Sequence, residues 1–509
     1  MTVGFRHAAA ALVAVACVGG PVESQAPVQP PGAPHATSLA DDLDRIFDDP
    51  ILARALVGVR IESLTTGAVL YDRNADRRVV PASNMKLVTL AVGASRLGWD
   101  YRYETRLEAI GRIEGGILRG DLVVVGDGDP TIGSLDDNPS PIFAAWIEAL
   151  RAAGIRRVDG RLLGDDDVFD DEGRGAGWAW DYLTAGYAAP TGGLSYNENV
   201  AVVTIAPGAA TGEPASVQVT PPGHGFELDH HVATGPADSR INVAVTRATG
   251  GLGLIVTGQV PLGAGPTRRT TVVDNPTRFF VGSFAAALAD RGMVVSGGSA
   301  DLDDAGEAAK PGANRRVIAR HMSPPLSVMA GRLMKASQNF YAETLLKTIG
   351  HVATGQGSSD AGRLALRETL ETWQVPADAI VMYDGSGLSR YNYVTAGALV
   401  DILTHVWKDE ALRGPFLATL PVGGHDGTLA SRMTHPDLTR RVQAKTGTIA
   451  NMRALSGYLD TVSGEKIVFS IIANHFTAPS ARVDAVVERA LARVAQRPPP
   501  PLVLRDSSR

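Results

Sequence analysis

Residues 81–89 read PASNMKLVT, and this stretch decides the fold. Pro81 is followed by an apolar run over 82–97, which reads as a helix starting near Ser83. On a helix, positions i and i+3 share a face, so Lys86 can reach the Ser83 hydroxyl. The positive end of the helix also favours negative charge developing there. Upstream, residues 56–64 and 68–72 alternate like strands around Thr65-Thr66-Gly67, a hairpin signal. At the far end, 441–449, 453–460 and 466–473 read as three more strands, and 480–496 as an amphipathic helix. Two strands at the start and three at the end form one five-stranded antiparallel sheet, covered by helices from 325 to 415. The expected fold is α+β. Its main domain is split between 39–100 and 316–497.

The segment between these halves has a different texture. It is rich in short β-like runs, such as 199–206, 216–220 and 241–247. It also holds a faint repeat: FAAWIEALRAAGIRRVDG at 143 resembles FVGSFAAALADRGMVVSG at 280. Each copy is a helix, a glycine and a short strand, and two such units are expected to pack together. The expected boundaries are an inserted domain over 101–195 and 265–315, with a small β domain over 196–264 nested in it.

The ends read as accessory. Arg6 and His7 precede the apolar run 8–18, which is too short for a mature membrane span. Residues 1–26 read as a signal peptide with small residues at Ser24-Gln25-Ala26. The alternative is a lipoprotein box at Ala14-Val15-Ala16-Cys17, with a lipidated Cys17 anchoring the chain to a membrane. Residues 27–38 are a Pro-rich linker, and 498–509 a flexible tail. Either reading exports the protein, to the periplasm or the outer face of the cytoplasmic membrane. The net charge of −6 offers no basic excess for nucleic acid. Cys17 is the sole cysteine, so no intrachain disulfide forms.

Three motifs carry chemistry, in order: Ser83-Asn84-Met85-Lys86, Ser337-Gln338-Asn339 and Lys445-Thr446-Gly447. The first two patterns recur at Ser463-Gly464-Glu465-Lys466 and Ser195-Tyr196-Asn197. The Ser463 copy reads as a turn between strands and the Ser195 copy lies in the insert, whereas Ser83 opens a helix. Only 7 lysines stand among 48 basic residues, so a lysine here points more than usual to chemistry that needs a titratable amine. A serine is a poor nucleophile until a base takes its proton. Lys86 can be that base only if its pKa falls by about 3 units, at a cost of roughly 4 kcal/mol. Burial and a second cation, Lys445, would lower it. Ser337 can relay a proton to a leaving amine. Asn339 can hold a substrate amide or orient Lys86. Gly447 leaves room for a substrate strand. Backbone N–H groups of Ser83 and Thr448 would form an oxyanion hole. Lys445, Thr446 and Thr448 would bind a terminal carboxylate.

The ordered trio is that of β-lactamases and penicillin-binding proteins. The chain resembles one branch of these, the class C low-molecular-mass penicillin-binding proteins, D-alanyl-D-alanine carboxypeptidase/endopeptidases. The resemblance rests on PASNMKLVT at 81, GDGDPTIG at 126, GWAWDY at 177, LSYNEN at 194, SQNFYAETLL at 337, DGSGLSR at 384, LPVGGHDGTLASR at 420 and KTGT at 445. These segments span nearly the whole mature chain. The long gap between Ser83 and Ser337 matches the two domains inserted in that branch and absent from β-lactamases. Gln338 departs from the commoner Asp or Asn of the second motif.

The resemblance implies a serine DD-peptidase with a β-lactamase-like domain. It would cleave D-Ala-D-Ala in peptidoglycan stem peptides through an acyl-enzyme on Ser83, and cross-links as a further activity. β-Lactam antibiotics would be inhibitors. A β-lactamase-like hydrolase and a non-catalytic cell-wall binding protein are the competing readings. No cofactor or metal is expected, and His230-His231 lack zinc-protease spacing. Six acids lie within 165–172. The resemblance implies that Asp165 meets the amino group of a diamino-acid stem peptide. A solvated loop and a calcium site are the other readings of that run.

Overall fold

In the computed structural model, residues 38–133, 140–247, 253–305 and 315–498 are described. Strands Leu56–Ser63 and Val69–Arg73 form the expected hairpin, with Gly67 at φ +75° in its turn. That left-handed conformation suits a residue without Cβ. The sheet runs Val69–Arg73, Leu56–Ser63, Lys466–Asn474, Met452–Asp460, Val442–Ile449, antiparallel throughout. Side chains alternate across it, as period-two geometry requires. Tyr458, Val468 and Ile472 enter one core, beneath helices that include Met85–Leu97, Asn339–Thr354 and Ala396–Lys408. Leu459, Ile467, Phe469 and Ile471 enter another, closed by helices Leu39–Phe47 and Ser480–Ala495. The split α+β architecture expected from the sequence is therefore present, with Val442–Ile449 as an edge strand.

The repeated units of the insert pack together. Helix Pro141–Ala152 leads to strand Arg157–Val158, and helix Pro276–Asp290 leads to Val294–Val295. The two strands pair in parallel, and the rings of Phe143 and Phe280 meet edge-on at 5.4 Å. The expected boundaries move in two places. Thr267–Val272 pairs with Val200–Ala206, which carries the small β module past 264. Arg315–Met322 pairs with Glu104–Ile110, so residues 316–322, expected to open the second half of the main domain, belong to the insert's sheet. Long-range hydrogen bonding decided both cases. Local periodicity identifies a strand but not its partner.

Candidate active site

Ser83 lies in a single 3-10 turn, Ala82–Asn84, at the head of helix Met85–Leu97. The turn is forced tightly against the sheet. Ala82 has φ +48°, a conformation that L-residues seldom adopt. A Cβ on Gly387 would stand 1.8 Å from the Ala82 carbonyl oxygen, and one on Gly447 would stand 2.6 Å from that of Pro81. Both positions therefore exclude a side chain. The sequence reading gave Gly447 the task of admitting a substrate strand. The atoms that need its space are those of the Ser83 turn itself. Asn84 Nδ2 donates to Ser456 Oγ at 2.7 Å, and Ser456 Oγ donates to Ser470 Oγ at 2.9 Å. This polar chain ties the turn to the middle of the sheet.

Lys86 is fully buried. Its Nζ lies 3.1 Å from Ser83 Oγ, 2.6 Å from Asn339 Oδ1 and 2.7 Å from the Ser386 carbonyl oxygen. Two of these partners can only accept. A neutral amine has two N–H bonds and one lone pair. In that neutral form, N–H groups given to Asn339 and Ser386 would leave the lone pair for the Ser83 hydroxyl. Burial lowers the Lys86 pKa to about 7, against the opposing charges of Asp384 and Glu343. The second cation does not contribute at Lys86. The repulsion appears at Lys445 instead, whose pKa burial and Lys86 push well below the ordinary range. Lys445 Nζ donates to Ser337 Oγ at 2.7 Å and to the Thr446 carbonyl at 2.8 Å.

Ser337 sits at φ +59° between helices Leu326–Lys335 and Asn339–Thr354. Gln338 caps the second helix by accepting from the Phe340 N–H, and its Nε2 donates to Glu198 Oε2 at 2.5 Å. Its side chain thus turns away from Lys86. Asn339 orients Lys86 with one amide atom and donates with the other to the Tyr187 carbonyl at 2.8 Å. Of its two expected roles, the orienting one has its contact in place.

A second tier escaped the sequence reading. Glu343 lies one helical turn after Asn339 and is buried. Its carboxylate accepts from the backbone N–H of Gly385 at 2.9 Å and of Ser386 at 2.7 Å, which sets the Ser386 carbonyl on Lys86. Asp384 accepts from the N–H groups of Gly387 and Ser389, from Asn392 Nδ2, and from Trp178 Nε1 at 2.8 Å. Trp178 comes from the insert. Burial and the charge of Asp384 raise the Glu343 pKa to about 7. The i, i+4 spacing of Asn339 and Glu343 and the DGSGLSR block were the available signals. Neither discloses which backbone groups a carboxylate will receive.

Ser83, Ser337, Asn339, Thr446 and Thr448 line one groove of about 500 Å³, with Tyr182 and Tyr187 of the insert on its wall. Thr446 Oγ1 is 2.7 Å from Thr428 Oγ1. The strand bearing Lys445 to Thr448 is the sheet's edge, which leaves backbone groups for an extended peptide. Asp165 is not part of this groove. It ends strand Leu162–Asp165, is nearly buried, and pairs with Arg315 at 2.9 Å. The contact the structure gives the Asp165 carboxylate is Arg315, and none of the groove's lining residues is bonded to it. The decoy motifs are also accounted for. Ser195 is buried and bonded to Gly192 and Asn199, and Ser463 is exposed beside Thr461 in a turn.

Comparison with known proteins shows the family and the fold. The model of the D-Ala-D-Ala carboxypeptidase 3 (S13) family matches residues 39–496. The D-alanyl-D-alanine carboxypeptidase of Actinomadura sp. (strain R39) is 36% identical over 471 residues, which is 89% of this chain and 84% of that protein. The D-alanyl-D-alanine carboxypeptidase DacB of Haemophilus influenzae is 25% identical over 83% of this chain and 86% of its own. The crystal structure of penicillin binding protein 4 from H. influenzae superposes with a TM-score of 0.76 at 24% identity, over 88% of this chain and 98% of that one. The same protein complexed with a β-lactam superposes with a TM-score of 0.72.

Proposed function

The chain belongs to the D-Ala-D-Ala carboxypeptidase 3 (S13) family and is a serine-type D-Ala-D-Ala carboxypeptidase; from that premise we propose that Ser83 is its acylated nucleophile and Lys86 the general base. The observation that carries this reading is the contact set of Lys86, which leaves a lone pair for the Ser83 hydroxyl. The peptide lies along Thr446–Thr448 with its scissile carbonyl at Ser83 Oγ. Lys86 takes the hydroxyl proton as Oγ attacks. Backbone N–H groups of Ser83 and Thr448 stabilise the oxyanion; losing one such donor typically costs about 100- to 1000-fold in rate. As the C–N bond breaks, Ser337 relays to the leaving amine the proton that Lys86 took, with Lys445 behind it, and Lys86 returns to the neutral amine. Water then hydrolyses the acyl-enzyme, with Lys86 again removing a proton.

The substrates are peptidoglycan stem peptides, so the protein works outside the cytoplasm. Among the described residues no helix is long and apolar enough to cross a membrane. The signal peptide and Cys17 lie outside the described residues. β-Lactams acylate Ser83 in this reading, a view supported by the β-lactam complex of the H. influenzae relative. A groove open along an edge strand also suits cross-linked peptides, which supports DD-endopeptidase activity. Mass spectrometry of the chain after brief exposure to penicillin tests the assignment. A single adduct on the tryptic peptide holding Ser83 is expected. An adduct on the Ser463 peptide would overturn it. Products from defined muropeptides, with and without cross-links, separate the two peptidase activities.

A further inference from the structure

The proposed substrate brings a negative charge into the groove, because D-Ala-D-Ala ends in a carboxylate one residue beyond the scissile bond. Neither lysine of the site presents a free ammonium to it. Lys86 and Lys445 are both fully buried and bonded to protein oxygens. Among the described residues lining the groove, only Arg453 is charged.

Arg453 lies on strand Met452–Asp460, directly opposite Thr448 in the antiparallel register. Side chains so paired stand on the same face, with Cβ atoms about 5 Å apart. The guanidinium is held but not saturated. Its Nε is 3.5 Å from Asp484, while Arg432 stands nearer that carboxylate at 3.1 Å. No hydrogen bond to another described residue occupies its five N–H donors, although the side chain is only 18% exposed. A guanidinium fixed in place with open donors fits a carboxylate through two parallel bonds. An extended residue spans roughly 3.5 Å. A leaving residue that runs from Ser83 along Thr446 and Thr448 therefore brings its carboxylate toward this end of the groove.

We propose that Arg453 is a specificity-determining residue that binds the carboxylate of the leaving group beside Thr446 and Thr448. The proposal rests on the reading of Ser83 as nucleophile and of the Lys445 strand as substrate track. It gives the electrostatic part of carboxylate recognition to a side chain outside the three motifs, and leaves Lys445 to the proton relay through Ser337. Arginine suits the task because its charge persists at every working pH.

The test uses the full chain and two peptides that differ only at the C-terminus, acyl-D-Ala-D-Ala and acyl-D-Ala-D-alaninamide. The ratio of their kcat/KM values measures how strongly the free carboxylate is preferred. In Arg453→Gln this ratio should fall about tenfold, chiefly through a higher KM for the free acid. Arg453→Lys should restore part of it. A ratio equal to the wild type's in Arg453→Gln would overturn the proposal, and so would equal losses on both peptides, which would make the residue merely structural. Failure of the underlying reading looks different: the wild type itself would then release nothing from either peptide, or would carry its penicillin adduct away from Ser83.

Discussion

Among the described residues, the paired lysines beside Ser83 and a trio of aspartates in the insert are built in opposite ways. Near the head of helix Met85–Leu97, the amines of Lys86 and Lys445 are sealed from water, and oxygens of the fold receive their N–H groups. In the insert, Asp166, Asp301 and Asp303 bring carboxylate oxygens within 4.8 Å of one another in an open pocket of about 500 Å³. Burial pushes Lys86 and Lys445 in the first cluster, and Asp166 in the second, toward neutrality. Lys86 falls to about 7, and Asp166 rises to about 7 through burial and then the charges of Asp301, Asp303 and Asp171. The difference is what the neutral group meets. Lys86 Nζ stands 3.1 Å from a serine hydroxyl, whereas Asp166 accepts from the Thr277 hydroxyl at 2.5 Å and faces its own kind. A shifted pKa therefore marks a charge cluster. It marks a catalytic one only when a reactive partner stands within reach.

The comparison breaks most directly at Ser83. Ser83→Ala should abolish labelling by fluorescent penicillin, while Ser195→Ala and Ser463→Ala keep it on a gel. Persistent labelling of Ser83→Ala would move the chemistry elsewhere. Next in size is Lys86→Arg, which should slow acylation by orders of magnitude because a guanidinium cannot act as a base. In the wild type, the rate should rise with pH through about 7 as Lys86 loses its proton. Stopped-flow acylation across pH checks both, and a pH-independent rate would refute the role of Lys86.

Smaller effects sharpen the contrast. Glu343→Gln should cost about tenfold in acylation, in line with the ~1.5–3 kcal/mol of a hydrogen bond to a charged group. Its pH profile carries the sign. The Glu343 charge raises the Lys86 pKa, so removing it should move the acidic limb to lower pH. A limb that stays in place would make Glu343 a packing residue only. Asp165→Asn should leave kcat/KM unchanged on peptides with a free side-chain amine and lower stability by about 1–2 kcal/mol, through loss of its pairing with Arg315. Selective loss of activity would reinstate it as a substrate ligand. Smallest is the effect of Asp166. Its folded-state pKa is raised, so its contribution to stability is full below the unfolded value of about 3.8 and is lost as pH rises through about 7. Thermal melts should show Asp166→Asn gaining on the wild type over that interval.

The sequence by itself determined the parts that are local or periodic. The alternation in 466–473 and the helical run after Ser83 fix their elements, because side-chain direction follows backbone period. The spacing of Ser83 and Lys86 fixes a contact within one helical turn. The order of the three motifs pointed to β-lactamases and penicillin-binding proteins, and the longer matching segments to one branch of them, before any distance was known. Tertiary structure alone decided what depends on partners remote in the chain. It set Asp165 against Arg315, drew Glu343 onto the backbone of Gly385 and Ser386, and gave Gly447 its reason in the carbonyl of Pro81. A carboxylate's role depends on which donors surround it, and a lysine's pKa on how far water is kept away. Neither quantity is a property of the residues nearby in sequence.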